Sequence, residues 1–137
     1  MVILNADWAP LALRLALGVI FIAHGYPKLK NVKATAQWLV ASGFKPGRFW
    51  AFVLGFSEFF GGFALLIGFF SRFAAAALII SMAVATLLKI FKWKTPFTAM
   101  DKMGWEFDVL IVAGLIALFL LGSGALSIDQ LLGWKWG

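Results

Sequence analysis

The chain has no cysteine. That excludes structural disulfides, thiolate metal sites and dithiol redox chemistry carried by this chain. It has one histidine, His24. Joined with Glu58 and Glu106 it would give one histidine and two carboxylates at no diagnostic spacing, poor ground for a metal, and no metal site is expected. No glycine loop in a strand–helix context offers to cradle a phosphate, and no Ser/His/Asp arrangement stands out. Charge is also scarce, at 13% of 137 residues against about 25% in soluble domains. Water is not the main solvent of such a chain.

What the chain has instead is apolar sequence, 63% of its residues. Runs of about 20 apolar residues are long enough to cross a bilayer, and four of them would use up most of the length. The expected fold class is all-α, an integral membrane four-helix bundle forming a single domain over 1–137. Its helices are expected at about 9–26, 48–70, 73–90 and 104–121. Pro10 suits a first helical turn, where its missing N–H costs nothing, and Pro27 is expected to end that helix. Val32, Ala36, Leu39 and Val40 recur at helical spacing, so 32–42 is expected to form an amphipathic helix on the membrane surface. Lys45-Pro46-Gly47 is turn chemistry. Ser71-Arg72 reads as a tight link between antiparallel helices, and Gly122-Ser123-Gly124 closes the last one. Ala9–Ala23 has no basic stretch before it and no cleavage site after it, so it is expected to stay as a membrane helix.

The net charge is +6. In a soluble protein that balance would suggest nucleic acid. Here the cations fall in two blocks between apolar runs, which is a topology signal, and no nucleic-acid partner is expected. Lys28, Lys30, Lys33, Lys45 and Arg48 form the first block; Lys89, Lys92, Lys94 and Lys102 form the second. The positive-inside rule then places both termini outside the cytoplasm of a multi-pass cell-membrane protein. Trp38, Trp50, Trp93 and Trp105 fall on the inner side, and Trp8, Trp134 and Trp136 on the outer side, as interfacial belts do.

Glu58 sits inside the otherwise uncharged run from Phe49 to Ser71. A carboxylate at such a depth costs roughly 2.5–3.5 kcal/mol on insertion scales, and something must offset it. Helical rise puts His24, Glu58 and Asp108 about 20 Å below the outer helix ends, with Glu106 slightly deeper. Arg14 is much shallower, at about 8 Å, either a buried cation or a snorkelling anchor; that difference argues against a direct Arg14–Glu58 pair. On the first helix Arg14, Gly18, Phe21, Gly25 and Lys28 share a side, with His24 flanking it. On the second, Gly55, Glu58 and Gly62 share a face, and small residues around a carboxylate indicate a helix contact. On the last, Glu106 shares a face with Ala113 and Ala117, while Asp108 points nearly the opposite way. Glu106 is therefore expected inside, and Asp108 at a polar edge or in an oligomer contact.

These groups suggest a polar pocket near the inner leaflet. Glu58, Glu106 and His24 are its expected catalytic groups. His24, Lys28, Gly25 and Gly62 are its expected cofactor contacts. It would take a quinone head group, a proton or a small anion. The alternative is that the polar groups pair with each other only to hold the bundle together.

The run Arg14-Leu-Ala-Leu-Gly18-Val-Ile-Phe21-Ile-Ala-His24-Gly25-Tyr-Pro-Lys28 resembles the first helix of the DoxX family. Glu58, Gly61, Gly62 and Gly68 resemble the family's second-helix pattern, and Arg72 its following arginine. Glu106 resembles the glutamate that opens the last helix. Gly122, Gly124, Ser127 and Asp129 resemble its closing Gly-x-Gly-x-x-Ser-x-Asp. The resemblance implies a small four-helix membrane protein. Some relatives are the membrane subunit of a thiosulfate:quinone oxidoreductase; others associate with redox-defence enzymes; many have no assigned activity. The expected function is a membrane subunit of a quinone-linked redox complex. Glu58 and Glu106 would manage protons, His24 would hydrogen-bond the quinone, and a partner subunit would supply electrons. Quinone is the cofactor expected on this reading, and nothing in the residues alone points to one. The alternatives are a small proton-coupled transporter or channel, and a non-catalytic scaffold. The expected partners are lipid, a redox subunit and further copies of the chain.

Overall fold

A computed structural model describes residues 8–136. The expected N-terminal tail, residues 1–7, lies outside the described residues. The described residues are all-α, with six α-helices: α1 Trp8–Lys30, α2 Val32–Ala41, α3 Gly47–Ile67, α4 Ser71–Leu87, α5 Trp105–Leu121 and α6 Ile128–Leu131. α4 runs on as a π-helical turn, Leu88–Lys92. Among the described residues, three helices are long and apolar enough to cross a membrane: Trp8–Lys30, Gly47–Ile67 and Ser71–Lys92.

Six α-helices stand where four spans and a surface helix were expected, α6 being the addition, and the boundaries differ chiefly at two places. Pro27 does not end α1, which continues to Lys30. Proline removes one i→i−4 bond, but near a helix end the remaining bonds carry the turn; Asn31 N–H still donates to the Pro27 carbonyl at 3.0 Å. The α3–α4 link is Gly68–Phe70 rather than Ser71-Arg72, which already belong to α4. Gly68 ends α3 in the left-handed region, at φ 70°, and its own N–H and that of Phe69 take the carbonyls of Leu65 and Ala64. This is how glycine closes a helix.

α1 packs along α3, and α4 along α5; α3 also meets α4, α1 meets α5, and α2 lies on α3. The α1–α3 contact is close because it is made of glycines. A Cβ built on Gly18 would lie 2.9 Å from the Gly62 carbonyl oxygen, and one on Gly62 would lie 2.8 Å from the Gly18 carbonyl oxygen. Small residues let two backbones approach in this way. The core between the helices is Leu17, Phe21, Leu65, Ala75, Leu78, Ile111, Leu115 and Leu118. A smaller cluster of Ala36, Leu39 and Ala51 fixes α2 to α3. Outside, large apolar side chains such as Phe52, Phe56, Phe60, Phe73 and Ile80 are exposed. Continuous exposed apolar surface on long helices belongs against lipid.

Candidate functional site

The buried ionisable groups, Arg14, Glu58, Asp108 and Asp129, gather at two ends of the molecule. At the lysine end, Lys28 from α1 forms an ion pair with Glu58 from α3 and donates to the His24 carbonyl at 3.1 Å. Glu58 is only 6% exposed. Its position opposite Gly25 explains how α1 comes near enough. A Cβ on Gly25 would lie 2.8 Å from the Phe59 Cα, so Gly25 and Gly62 act as helix contacts at this site.

A second pair repeats the arrangement across α4 and α5. Lys89, in the π-helical turn, donates to Asp108 at 2.7 Å, and the Thr86 hydroxyl lies 3.3 Å from the other carboxylate oxygen. Asp108 is 2% exposed, whereas Glu106 is exposed. The expectation for α5 is thus reversed. Asp108 faces inward with Ile111, Leu115 and Leu118, and Glu106 faces out, accepting from the Thr98 hydroxyl at 2.8 Å. Both acids sit in the first turn of α5, where the helix dipole favours negative charge. His24 is likewise exposed, and only its backbone carbonyl joins the Lys28 contact. Of the residues expected to meet, Lys28 and Glu58 do; Glu106 and the His24 ring stand apart from them.

The other end holds Arg14 and Asp129. Arg14 does not snorkel; it is 2% exposed. Its guanidinium donates to four carbonyls: Leu65 at 2.9 Å, Leu66 at 3.1 Å, Ser123 at 2.7 Å and Leu126 at 2.8 Å. Asp129 accepts from Phe70 N–H at 2.8 Å and Ser71 N–H at 3.1 Å. Gly122 and Gly124 both have positive φ, 81° and 77°, which turns the chain back toward Arg14. Ser127 caps α6 by accepting from Gln130 N–H at 3.2 Å. The closing glycine–serine–aspartate motif is therefore a built loop that ties α6 to α1, α3 and α4.

The residues alone did not reveal one further feature, an apolar cleft of about 310 Å³ at the lysine end. α2 and the loop after it form one side, and α3 and α4 form the others, with Trp38, Trp50, Val53, Ile80, Val84 and Leu88 among its lining. It depends on three segments far apart in sequence. The signal available beforehand was the clustering of Trp38, Trp50 and Trp93 on one side.

Long apolar helices, an apolar exterior and paired internal charges define a small multi-pass membrane protein. The chain belongs to the DoxX family, whose model matches residues 9–93. It is 33% identical over 131 residues to the inner membrane protein YqjF of Escherichia coli (strain K12), covering 95% of this chain and 96% of that protein. It is 30% identical over 119 residues to the "Putative oxidoreductase CatD" of Bacillus subtilis (strain 168), covering 87% of this chain and 83% of that one. The inner membrane protein YphA of Escherichia coli (strain K12) is 25% identical over 119 residues, 85% of each chain. No solved structure matches the chain significantly.

Proposed function

We propose that the protein is a membrane subunit of a quinone-linked redox assembly, similar to a thiosulfate:quinone oxidoreductase, with α1, α3, α4 and α5 as four spans. α5 has 17 residues, the lower end of a spanning length. The lysine end faces the cytoplasm on this reading, by the positive-inside rule. The observation that carries the proposal is the Lys28–Glu58 pair. It keeps a carboxylate inside an apolar span, where ionisable groups mark function by default. The oxidoreductase name of CatD supports the same class. A bound quinone would supply the redox chemistry, and a partner subunit the electrons. Quinone reduction also consumes protons, and Lys28 and Glu58 would hold and release them.

The test separates chemistry from architecture. Glu58→Gln keeps an acceptor for Lys28 but cannot carry a proton. A Lys28→Met/Glu58→Met double variant removes both charges and restores an uncharged contact. Quinone reduction by the intact assembly is expected to fall in both variants. Unchanged reduction in the double variant would reduce the pair to a structural clasp.

One observation favours a scaffold as the second reading. Arg14, Lys28, Glu58, Lys89, Asp108 and Asp129 all have partners within the chain. The transporter alternative gains less, because the apolar core of Leu17, Phe21, Leu78, Leu115 and Leu118 separates the two polar ends.

A further inference from the structure

The apolar cleft and its rim call for different chemistry. Its lining is hydrocarbon and aromatic, and its polar side chains are Ser57 and Ser81. The Ser57 hydroxyl is already donated to the Leu54 carbonyl at 3.1 Å. The Ser81 oxygen is buried and has no partner. The walls lie open at Trp38, Trp50, Val53, Ile80 and Val84, all exposed. On a spanning bundle that opening faces lipid.

The segments that border the cleft carry lysines. Lys92 reaches the Ala41 carbonyl at 2.8 Å and lies beside Gly43, in the segment that leads to cleft residue Phe44. A lysine ammonium has three donors, so donors remain. Trp93 packs against Trp38, rings tilted and centroids 5.3 Å apart, which pins the α4 end to α2 near the cleft. Lys45 follows Phe44 and Lys94 follows Trp93, and both are exposed. Among the described residues, none of these three lysines forms an ion pair; the carboxylates of Glu58 and Asp108 are engaged by Lys28 and Lys89.

A hydrocarbon slot below a lysine rim, at a belt of tryptophans, suits one kind of molecule. We propose that the cleft binds an anionic phospholipid, with an acyl chain between α2, α3 and α4 and its phosphate against Lys92, Lys45 and Lys94. Charge complementarity selects this occupant. Basic clusters at an interface attract anionic headgroups, and tryptophans sit at headgroup level. A neutral lipid or quinone would fill the slot and leave the rim without a counter-charge.

Native mass spectrometry of the full chain tests this, with phosphatidylglycerol, phosphatidylcholine of the same acyl chains, and a quinone as separate probes. Phosphatidylglycerol is expected to bind about tenfold or more tighter than phosphatidylcholine. Lys45→Gln/Lys92→Gln/Lys94→Gln should bring it down to the phosphatidylcholine level. Val84→Trp, which fills the slot, should remove both adducts. Equal binding of the two lipids, or unchanged binding by the triple variant, would overturn the proposal. So would a quinone that takes the cleft in place of phosphatidylglycerol. Competition by inorganic phosphate alone would place the affinity on the rim and remove the cleft from it.

Discussion

Arg14 and Asp129 hold the two sides of one helix–helix turn. Arg14 takes the last-turn carbonyls of α3, at Leu65 and Leu66, and Asp129 takes the first N–H groups of α4, at Phe70 and Ser71. Each charge meets the helix pole it complements, a cation at a C-terminus and an anion at an N-terminus. The α3–α4 turn is thereby satisfied on both sides without water, as an apolar solvent requires.

Arg14→Met should be strongly destabilising. It leaves buried carbonyls without donors, and hydrogen bonds to charged groups contribute about 1.5–3 kcal/mol each. Arg14→Lys should fail to rescue it, because an ammonium cannot reproduce the planar fork that spans four carbonyls. Thermal unfolding in detergent measures both, and a wild-type midpoint for Arg14→Lys would contradict the geometry.

Asp129→Ala should uncap α4 at a cost of about 0.5–2 kcal/mol. The loss should appear as faster amide exchange at Phe70 and Ser71, the groups it accepts from. Exchange there that matches wild type would refute the cap.

Glycine substitutions should separate by position. Gly62→Ala drives a methyl into the Gly18 carbonyl, at 2.8 Å, and should cost about 1–3 kcal/mol as overpacking. Gly114→Ala meets nothing nearer than 3.5 Å, from Leu17. It should be neutral or stabilising, by up to about 1 kcal/mol of helix propensity. Paired unfolding curves decide it, and equal losses would show that the tight α1–α3 contact is not selective.

Asp108 and Glu106 should respond differently to neutralisation. Asp108→Ala leaves the partly buried Lys89 unpaired and should cost about 1–3 kcal/mol. Glu106→Gln, exposed, should stay within about 0.5 kcal/mol. A larger loss at Glu106 than at Asp108 would reverse the assignment of the α5 faces.

The faces of α1 and α3 were legible in the sequence. Arg14, Gly18, Phe21 and Gly25 repeat at helical spacing beside larger apolar residues, as do Gly55, Glu58 and Gly62, and all are buried. Glycine marks the helix contact there by its size. On α5 the same kind of mark, Ala113 and Ala117 beside Glu106, pointed to the wrong face. Its residues from Val109 to Leu121 are apolar on every side, so hydrophobicity gave no inward stripe, and the small residues are not on the buried face of Ile111, Leu115 and Leu118. The ion pairs were half legible, because depth is readable from rise while rotation is not. Arg14 stayed open between a buried cation and a snorkelling anchor for another reason: its partners are carbonyls, and every residue has one. The cleft needed three segments brought together, and no local pattern encodes that.

The long reach of Arg14 has a consequence for how the protein is made. Its carbonyl partner Ser123 lies 109 residues further along the chain. At synthesis rates of about 5–20 residues per second, the first span would wait on the order of ten seconds for that partner. During that time the guanidinium can reach only its α3 partners, the Leu65 and Leu66 carbonyls, and half of its hydrogen bonds stay unmade. The bonds to Ser123 and Leu126 therefore close last, and the α1–α3 contact is completed only by the C-terminal segment.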